Sequence, residues 1–531
     1  MSHLTNEQRA VVESRAPLLA VDAFAGSGKT STLIQYARAR PRARILYLAF
    51  NKSVATGARD RFPSNVDCRT THSLAYAAEG RKYTDKLGNP QAYEVAQECR
   101  CSPRRAKVIL ATISSWLCSS DDKIRTAHVD PESVEDDIDA AAVVDQARGV
   151  WARMMDLRSA MKMPHDGYLK LWAMSKPRLR YDILLLDEAQ DTNALTLDLV
   201  LRQRGHASIV LVGDRHQGIY GFRKALNAME LVDADERIAL TQSFRFAHGI
   251  ADVATRLLAA FKGEKQGVKG RDDIEVEWAV DTGRHYAVIS RTNAGLFEAA
   301  AREVQAWAEC RLHFIGGFES YLFGKVIDAY HLWTDERPKI KDASIARFAK
   351  WVDFERYGEE AGDAEVRALV KVVETYGSQI PTLYAAIKEA DAPVQERAHL
   401  TLTTAHKAKG LEWEQVHLAD DFIDVEDLPE DFDPEEINLL YVAVTRAVRA
   451  VRLPDSLARW LNSIRIHGPA AARQMARTPT SAARAPAATR DGEQAVQLWL
   501  STHAHRLSEQ TVKELRALLG ELETLDSAAT R

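Results

Sequence analysis

Short apolar runs bounded by Gly, Asp or Asn recur along the chain, each followed by apolar positions at helical spacing. Residues 18–21, 44–50, 183–186 and 208–212 form one set, and residues 287–290, 400–403 and 415–419 a second. Runs this short and continuously apolar predict strands buried in parallel sheets, and two sets predict two α/β sheets rather than one. Residues 76–176 and 301–392 are poor in strand signal and predict mainly helical insertions. The layout that follows is a first sheet domain at 1–75 and 177–236 with its insertion at 76–176. A second sheet domain at 237–300 and 393–462 carries the insertion 301–392. Residues 463–490, rich in Ala, Arg, Pro, Thr and Ser, predict a linker. Residues 491–531 predict a short helical tail, in which Val496, Leu498, Leu500, Val512, Leu515, Leu518, Leu519 and Leu522 form an apolar face that needs a partner surface. No repeat of fixed period is evident.

At 531 residues, 46% hydrophobic and 27% charged, the chain has the balance of a globular protein of several domains, which excludes a collagenous, coiled-coil or disordered class. No apolar run approaches the roughly 18 residues of a spanning helix. The polar start, Met1-Ser2-His3-Leu4-Thr5, lacks a signal peptide's apolar core. Five scattered cysteines fit a reducing, cytoplasmic setting. A net charge of −5 excludes a polycation that coats nucleic acid, while leaving room for a local basic channel.

Ala23-Phe24-Ala25-Gly26-Ser27-Gly28-Lys29-Thr30 follows a predicted strand and opens a helical pattern. A Gly-rich turn alone is often only a turn, but this one carries Lys and Thr where a phosphate-binding loop needs them. Gly26 and Gly28 permit a tight backbone cradle for phosphate oxygens. Lys29 would reach the β and γ phosphates and Thr30 would ligate Mg²⁺. Ala23 stands where the motif usually begins with Gly. Asp187 and Glu188 close a later strand; Asp187 suits a second Mg²⁺ ligand and Glu188 a group that orients or deprotonates the attacking water. Gln217, just beyond another strand, can hydrogen-bond a γ-phosphate or water. Tyr220, Phe222 and Arg223 suit base stacking and backbone contact on a single strand.

Further motifs stand in order along the chain: Leu4-Thr5-Asn6-Glu7-Gln8, Ala49-Phe50-Asn51-Lys52, Thr70-Thr71-His72-Ser73-Leu74, Leu240-Thr241-Gln242-Ser243-Phe244-Arg245, Thr404-Ala405-His406-Lys407-Ala408-Lys409-Gly410-Leu411-Glu412-Trp413 and Leu440-Tyr441-Val442-Ala443-Val444-Thr445-Arg446-Ala447. With these the chain resembles a superfamily 1A DNA helicase of the UvrD/Rep type over nearly all of residues 1–450. Residues 47–55 and 165–172 and the flank of the phosphate loop are similar to the F-box DNA helicase subfamily, in its helicase part only. No F-box precedes the first motif here, so no ubiquitin-ligase role is expected. The resemblance implies two RecA-like parallel-sheet domains with ATP and Mg²⁺ between them. It implies that Gln8 reads adenine with Phe244 stacked on it. Ala25, Gly26, Ser27, Gly28, Lys29, Thr30, Ser31 and Glu412 are then nucleotide contacts, and Arg245 and Arg446 are the arginines that reach the γ-phosphate. Phe50, Asn51, His72, Tyr220, Phe222, Arg223 and His406 become contacts to DNA. Ser31 stands where many relatives have Arg, and no nuclease block follows the last motif.

The expected activity is therefore ATP-dependent 3′→5′ unwinding of DNA or translocation on a single strand, acting at single-stranded DNA and its junctions with duplex. Two rivals share the same ATP site: a motor that strips proteins from DNA with little unwinding, and an ATP-gated DNA sensor that works with a separate nuclease in a defence system. A protein partner, a nuclease or recombination factor, could dock on the tail. His165-Asp166 and the group Cys99, Cys101, Cys118 and His128 lack the ligand spacing of a metal centre. The acidic run from Asp424 to Glu436 predicts a solvated loop.

Overall fold

The computed structural model describes residues 4–131, 139–221, 224–307, 309–360, 363–429 and 432–467. Phe222 and Arg223, most of the expected linker, the whole expected tail and the acidic residues Glu135, Asp136 and Asp137 lie outside the described residues. Two compact units are formed, one from the described parts of Met1–Leu74 and Lys176–Arg477, the other from Ala75–Ser175.

The first unit begins with a six-stranded parallel sheet built from β1 (Leu18–Ala23), β2 (Ile45–Leu48), β3 (Val66–Arg69), β4 (Ile183–Asp187), β5 (Ser208–Gly213) and β6 (Glu236–Leu240), in the order β3-β2-β4-β5-β1-β6. The central strands are buried along nearly their whole length, as a sheet covered on both faces requires. Their apolar runs were therefore legible. The two edge strands were not, because Val66-Asp67-Cys68-Arg69 and Glu236-Arg237 carry the charges typical of an exposed edge. Strands β1, β4 and β5 are neighbours, so the loops at their carboxyl ends open into one crevice, where open α/β sheets bind ligands.

Two short strands, β7 (Gln242–Ala247) and β8 (Lys269–Arg271), pair with each other. The second sheet comprises β9 (Tyr286–Ser290), β10 (Leu312–Phe314), β11 (Leu400–Thr404), β12 (Trp413–Leu418) and β13 (Ala447–Arg452), all parallel, in the order β10-β11-β9-β12-β13. Here too the edge strands escaped the sequence pattern: β10 has only three residues and β13 reads Ala-Val-Arg-Ala-Val-Arg. The helix Asn293–Ala306 starts at Thr292, whose hydroxyl accepts from Gly295 N and whose own N–H and hydroxyl donate to Asp421. Phe297 on this helix is fully buried and meets Phe323 edge-on at 5.6 Å. The helices Gly324–Trp333, Ala364–Tyr376 and Ile380–Ala390 join the same core through Val326, Val372 and Ile380.

The second unit is helical. Trp116, near the end of the helix Pro103–Cys118, packs edge-on against Trp151 of the helix Ala140–Met155 at 5.1 Å. Lys170 is fully buried, with its ammonium 4.6 Å from the centre of the Trp116 ring and donating to the carbonyls of Trp116 and Ser119. It thus satisfies carbonyls that the helix end leaves open. The cysteines are free, and among the described residues no group of three or more His, Cys, Asp or Glu side chains is gathered as a metal site. No helix among the described residues is long and apolar enough to cross a membrane.

Replacing Phe297 by Ala should destabilise the first unit by about 3–5 kcal/mol, the cost of a large core cavity. Urea unfolding followed by tryptophan fluorescence would measure it.

Candidate functional site

Between β1 and the helix Lys29–Arg38 the chain turns through two left-handed glycines, Gly26 at φ 73° and Gly28 at φ 78°. Gly26 is also held by lack of space. A Cβ there would lie 2.4 Å from Ser243 Oγ and 2.7 Å from Arg245 Cβ, because Phe244 N of β7 donates to Gly26 O at 2.8 Å. Gln8 stands in the first turn of the helix Asn6–Glu13, where it and Thr5 cap each other, and its Nε2 donates to Ser27 O at 3.3 Å. The exposed Phe244 ring and Gln8 Nε2 both flank Gly28. Ser27 is buried and its hydroxyl has no hydrogen-bond partner, as expected of a loop shaped for a ligand.

Glu188, at the end of β4, adopts a left-handed conformation, φ 52° and ψ 45°. Such backbone strain at a non-glycine residue concentrates where function requires it. The turn brings Glu188 Oε2 to 2.9 Å from Lys29 Nζ. Burial opposes the charge on Lys29, but Glu188, Asp187 and Asp214 outweigh it and hold its pKa above the ordinary lysine value. Burial also opposes the Glu188 charge, yet Lys29 and then Lys409 bring its carboxyl down to about 2. Asp187 moves the other way, raised by burial and by its neighbour Glu188. Its Oδ2 accepts from the Tyr47 hydroxyl at 2.6 Å and its Oδ1 from Glu188 N at 3.0 Å.

The opposite wall comes from β7 and the second sheet. Arg446 sits between the helix Pro434–Val444 and β13 and is 1% exposed. Its guanidinium donates to the carbonyls of Val442 and Leu411 and to Thr445 Oγ1, with Gln217 Oε1 at 3.5 Å. Among the described residues it makes no ion pair. Burial, and next the charge of Arg245, lower its pKa to about 9, so it stays charged at neutral pH. Arg245 donates through Nε to Glu412 Oε2 at 2.7 Å and through Nη1 to Thr445 O. A cavity of about 710 Å³ is lined by Lys29, Thr30, Glu188, Gln217, Arg245 and Arg446 together with Phe244, Glu412 and Ser31.

The residues expected to meet DNA divide. Phe50 and Asn51 border the same cavity, as does Tyr220. The rings of Phe50 and Tyr220 are nearly parallel, 8° apart with centres at 6.0 Å, and the His406 ring follows at 6.4 Å from Tyr220. Asn51 has a local task, accepting from Val54 N to cap the helix Lys52–Arg59. His72 lies in the first turn of the helix Thr71–Ala78 and does not line this cavity. Through Asp433 the acidic run is, among the described residues, the loop expected to lead into the last motif. The helix Pro434–Val444 begins within it, and Glu436 forms a part-buried pair with Arg291 at 2.8 Å.

A model of the AAA domain matches residues 7–223, and a model of the UvrD-like helicase C-terminal domain matches residues 399–453. The chain is 34% identical over 510 residues to F-box DNA helicase 1 of Gallus gallus, covering 86% of this chain and 50% of that one. It is 30% identical over 518 residues to F-box DNA helicase protein 1 of Schizosaccharomyces pombe, covering 86% and 58%. The chain belongs to the UvrD-like superfamily 1 helicases. It spans about half the length of these two relatives.

A UvrD-like helicase uses a nucleotide and usually Mg²⁺, and the donors here fit both. The open Ser27 hydroxyl and the carboxylate-free Arg446 suit a polyanion. The Thr30 hydroxyl and the buried Asp187 carboxylate are the hard oxygen donors Mg²⁺ prefers. Sequence reasoning assigned no role to Lys409, Asp191, Asp214 or Tyr441, although each lies in or beside a quoted motif. Lys409 Nζ donates to Asp191 Oδ2 and Gln217 O, both at 2.5 Å. Only Tyr441 stood out as a lone hydroxyl inside an apolar run, Leu439-Leu440-Tyr441-Val442.

Gly26→Ala should lower nucleotide affinity by at least about tenfold, since it forces a strained φ and pushes β7 off the loop. Equilibrium titration with a fluorescent ATP analogue would read this. Wild-type affinity would show that the close approach of β7 is unimportant.

Proposed function

We propose that this chain is an ATP-dependent DNA translocase and helicase with 3′→5′ polarity. The observation that carries the reading is Arg446. It is a buried guanidinium that pairs with no carboxylate among the described residues, and it borders the cavity that holds the Lys29–Glu188 pair. Burying a charge without a counter-charge is costly, and a triphosphate bound between the two sheets would supply the missing anion.

In this reading Gln8 and Phe244 hold the base, and Lys29 with the loop amides holds the β and γ phosphates. Thr30 and Asp187 hold Mg²⁺, which would offset charge on the phosphates. Glu188 is kept ionised by Lys29 and Lys409 and serves to orient or deprotonate the attacking water. Arg446 and Arg245 stabilise charge on the transferring phosphoryl group, so hydrolysis depends on the closeness of the two sheets. Phe50, Tyr220 and His406 offer stacking surfaces to a single strand. The polarity follows the family resemblance and is tested separately, by displacing strands from duplexes with a 3′ or a 5′ single-stranded tail.

The deciding experiment compares ATP turnover without nucleic acid and with single-stranded DNA, duplex DNA or RNA. Single-stranded DNA should stimulate turnover several-fold; indifference to it would sink the translocase reading. Lys29→Ala should remove nearly all hydrolysis. Glu188→Gln should bind ATP but turn it over about 100-fold or more slowly, the scale of a lost general base. Equal loss of nucleotide binding in both variants would argue against their separate roles.

A further inference from the structure

Tyr441 lies within the helix Pro434–Val444, which leads to Arg446, and it is fully buried. Its hydroxyl accepts a hydrogen bond from Ala25 N of the phosphate loop at 3.1 Å and donates one to Asp214 Oδ2 at 2.9 Å. The same Asp214 oxygen accepts from Gln217 Nε2 at 2.6 Å, and Asp214 Oδ1 accepts from His216 N at 3.1 Å. One phenol from the helix that precedes β13 thus touches the loop after β1 and the carboxylate after β5. Burial, and then the neighbouring Asp214 charge, raise the Tyr441 pKa well above that of a free phenol, so the proton it donates is retained.

The contact also fixes which end of the Gln217 amide faces the cavity. A carbonyl oxygen turned to the Asp214 carboxylate would be repelled, whereas the amide nitrogen donates to it. Nε2 is therefore held by Asp214, and Oε1 is turned toward Arg446 Nη2. In this orientation Gln217 offers an acceptor, the group that can take a hydrogen bond from an attacking water.

We propose that Tyr441 is a positioning residue for ATP hydrolysis, whose hydroxyl ties the second sheet to the phosphate loop and to the Asp214 carboxylate that orients Gln217. The inference rests on the ATPase reading above and names a link within that site. If the helix moves away from the first sheet, Ala25 N loses its acceptor and Asp214 loses a donor in the same step. The Asp214 carboxylate is then anchored through Oδ1 by His216 N, and Oδ2 can shift together with the Gln217 amide it holds. Arrival of Arg446 and correct orientation of Gln217 are thereby made one event, because both depend on the seating of one helix.

Tyr441→Phe removes the hydroxyl and keeps the ring, which is packed against His216 at 6.2 Å. The expected result is a fall in the kcat of ATP hydrolysis of about tenfold to a hundredfold, the scale of a misplaced reacting group. The KM and the equilibrium Kd for a fluorescent ATP analogue should stay within about twofold of wild type, since orientation and not binding is lost. Combined with Gln217→Ala, the substitution should cost little beyond Gln217→Ala alone, because both act through one group. Wild-type kcat in Tyr441→Phe overturns the proposal. So does a fall in kcat matched by equal rises in KM and Kd, which marks a loosened site, and so do additive losses in the double variant. Turnover of the wild type is measured with and without single-stranded DNA in the same series. A wild type indifferent to DNA defeats the translocase reading, while the basal kcat of the variants still decides the role of Tyr441.

Discussion

Arg446 is held in a nearly dry position, its charge answered among the described residues by carbonyls, a hydroxyl and an amide oxygen. Across the cavity Lys29 is answered by Glu188. This asymmetry organises the site. A cation without a carboxylate is tolerable only where dipoles partly solvate it and an anionic ligand can complete it. The carboxylates on the first wall are already engaged, Glu188 with Lys29 and Gln190, Asp187 with Tyr47 and a backbone N–H. The net effect is a cavity whose free capacity is for negative charge.

Steric constraint complements the electrostatics. Gly26 has β7 against it so closely that no side chain fits, and Tyr441 takes up the N–H of the preceding residue. The phosphate loop is therefore gripped by β7 and by the helix before Arg446 as well as by its own strand. A loop anchored on several sides loses little entropy when ligand arrives, which is the structural basis of preorganisation. The same anchoring makes the loop responsive, because displacement of either neighbour alters it directly.

Much of this was legible in the sequence, for identifiable reasons. Interior strands such as β4 and β5 are continuous apolar runs because both faces are covered, while β3, β6, β10 and β13 are short or charged edges. Lys29, Asp187 and Glu188 were readable because their chemistry demands fixed spacing after a strand. Partnerships were not. Nothing in the spacing from Asp191 to Lys409 tells that they meet, and the Tyr441 hydroxyl looks like an ordinary core residue until its two partners are seen. The acidic run is mostly the loop its composition implies, but that Glu436 has Arg291 opposite it is a fact of the fold and not of the local sequence.

The contacts of Lys409 bring the two proposed activities within one side chain's reach. Its ammonium holds Asp191 and the backbone oxygen of Gln217, and lies 5.0 Å from the centre of the Tyr220 ring. Burial raises the Asp191 pKa to about 6 even though Lys409 pulls it down, so the pair is kept by proximity against a desolvation cost. Asp191 and Gln217 border the cavity proposed to hold nucleotide, and Tyr220 belongs to the aromatic series proposed to stack on a single strand. A strand that moved Tyr220 would move the surroundings of this ammonium, and with them Gln217 and the field at Glu188. Coupling between DNA and hydrolysis then needs no relay through distant parts of the fold. It needs only that a buried lysine cannot leave one carboxylate without being answered by another group, and that the groups available are those of the proposed ATP site.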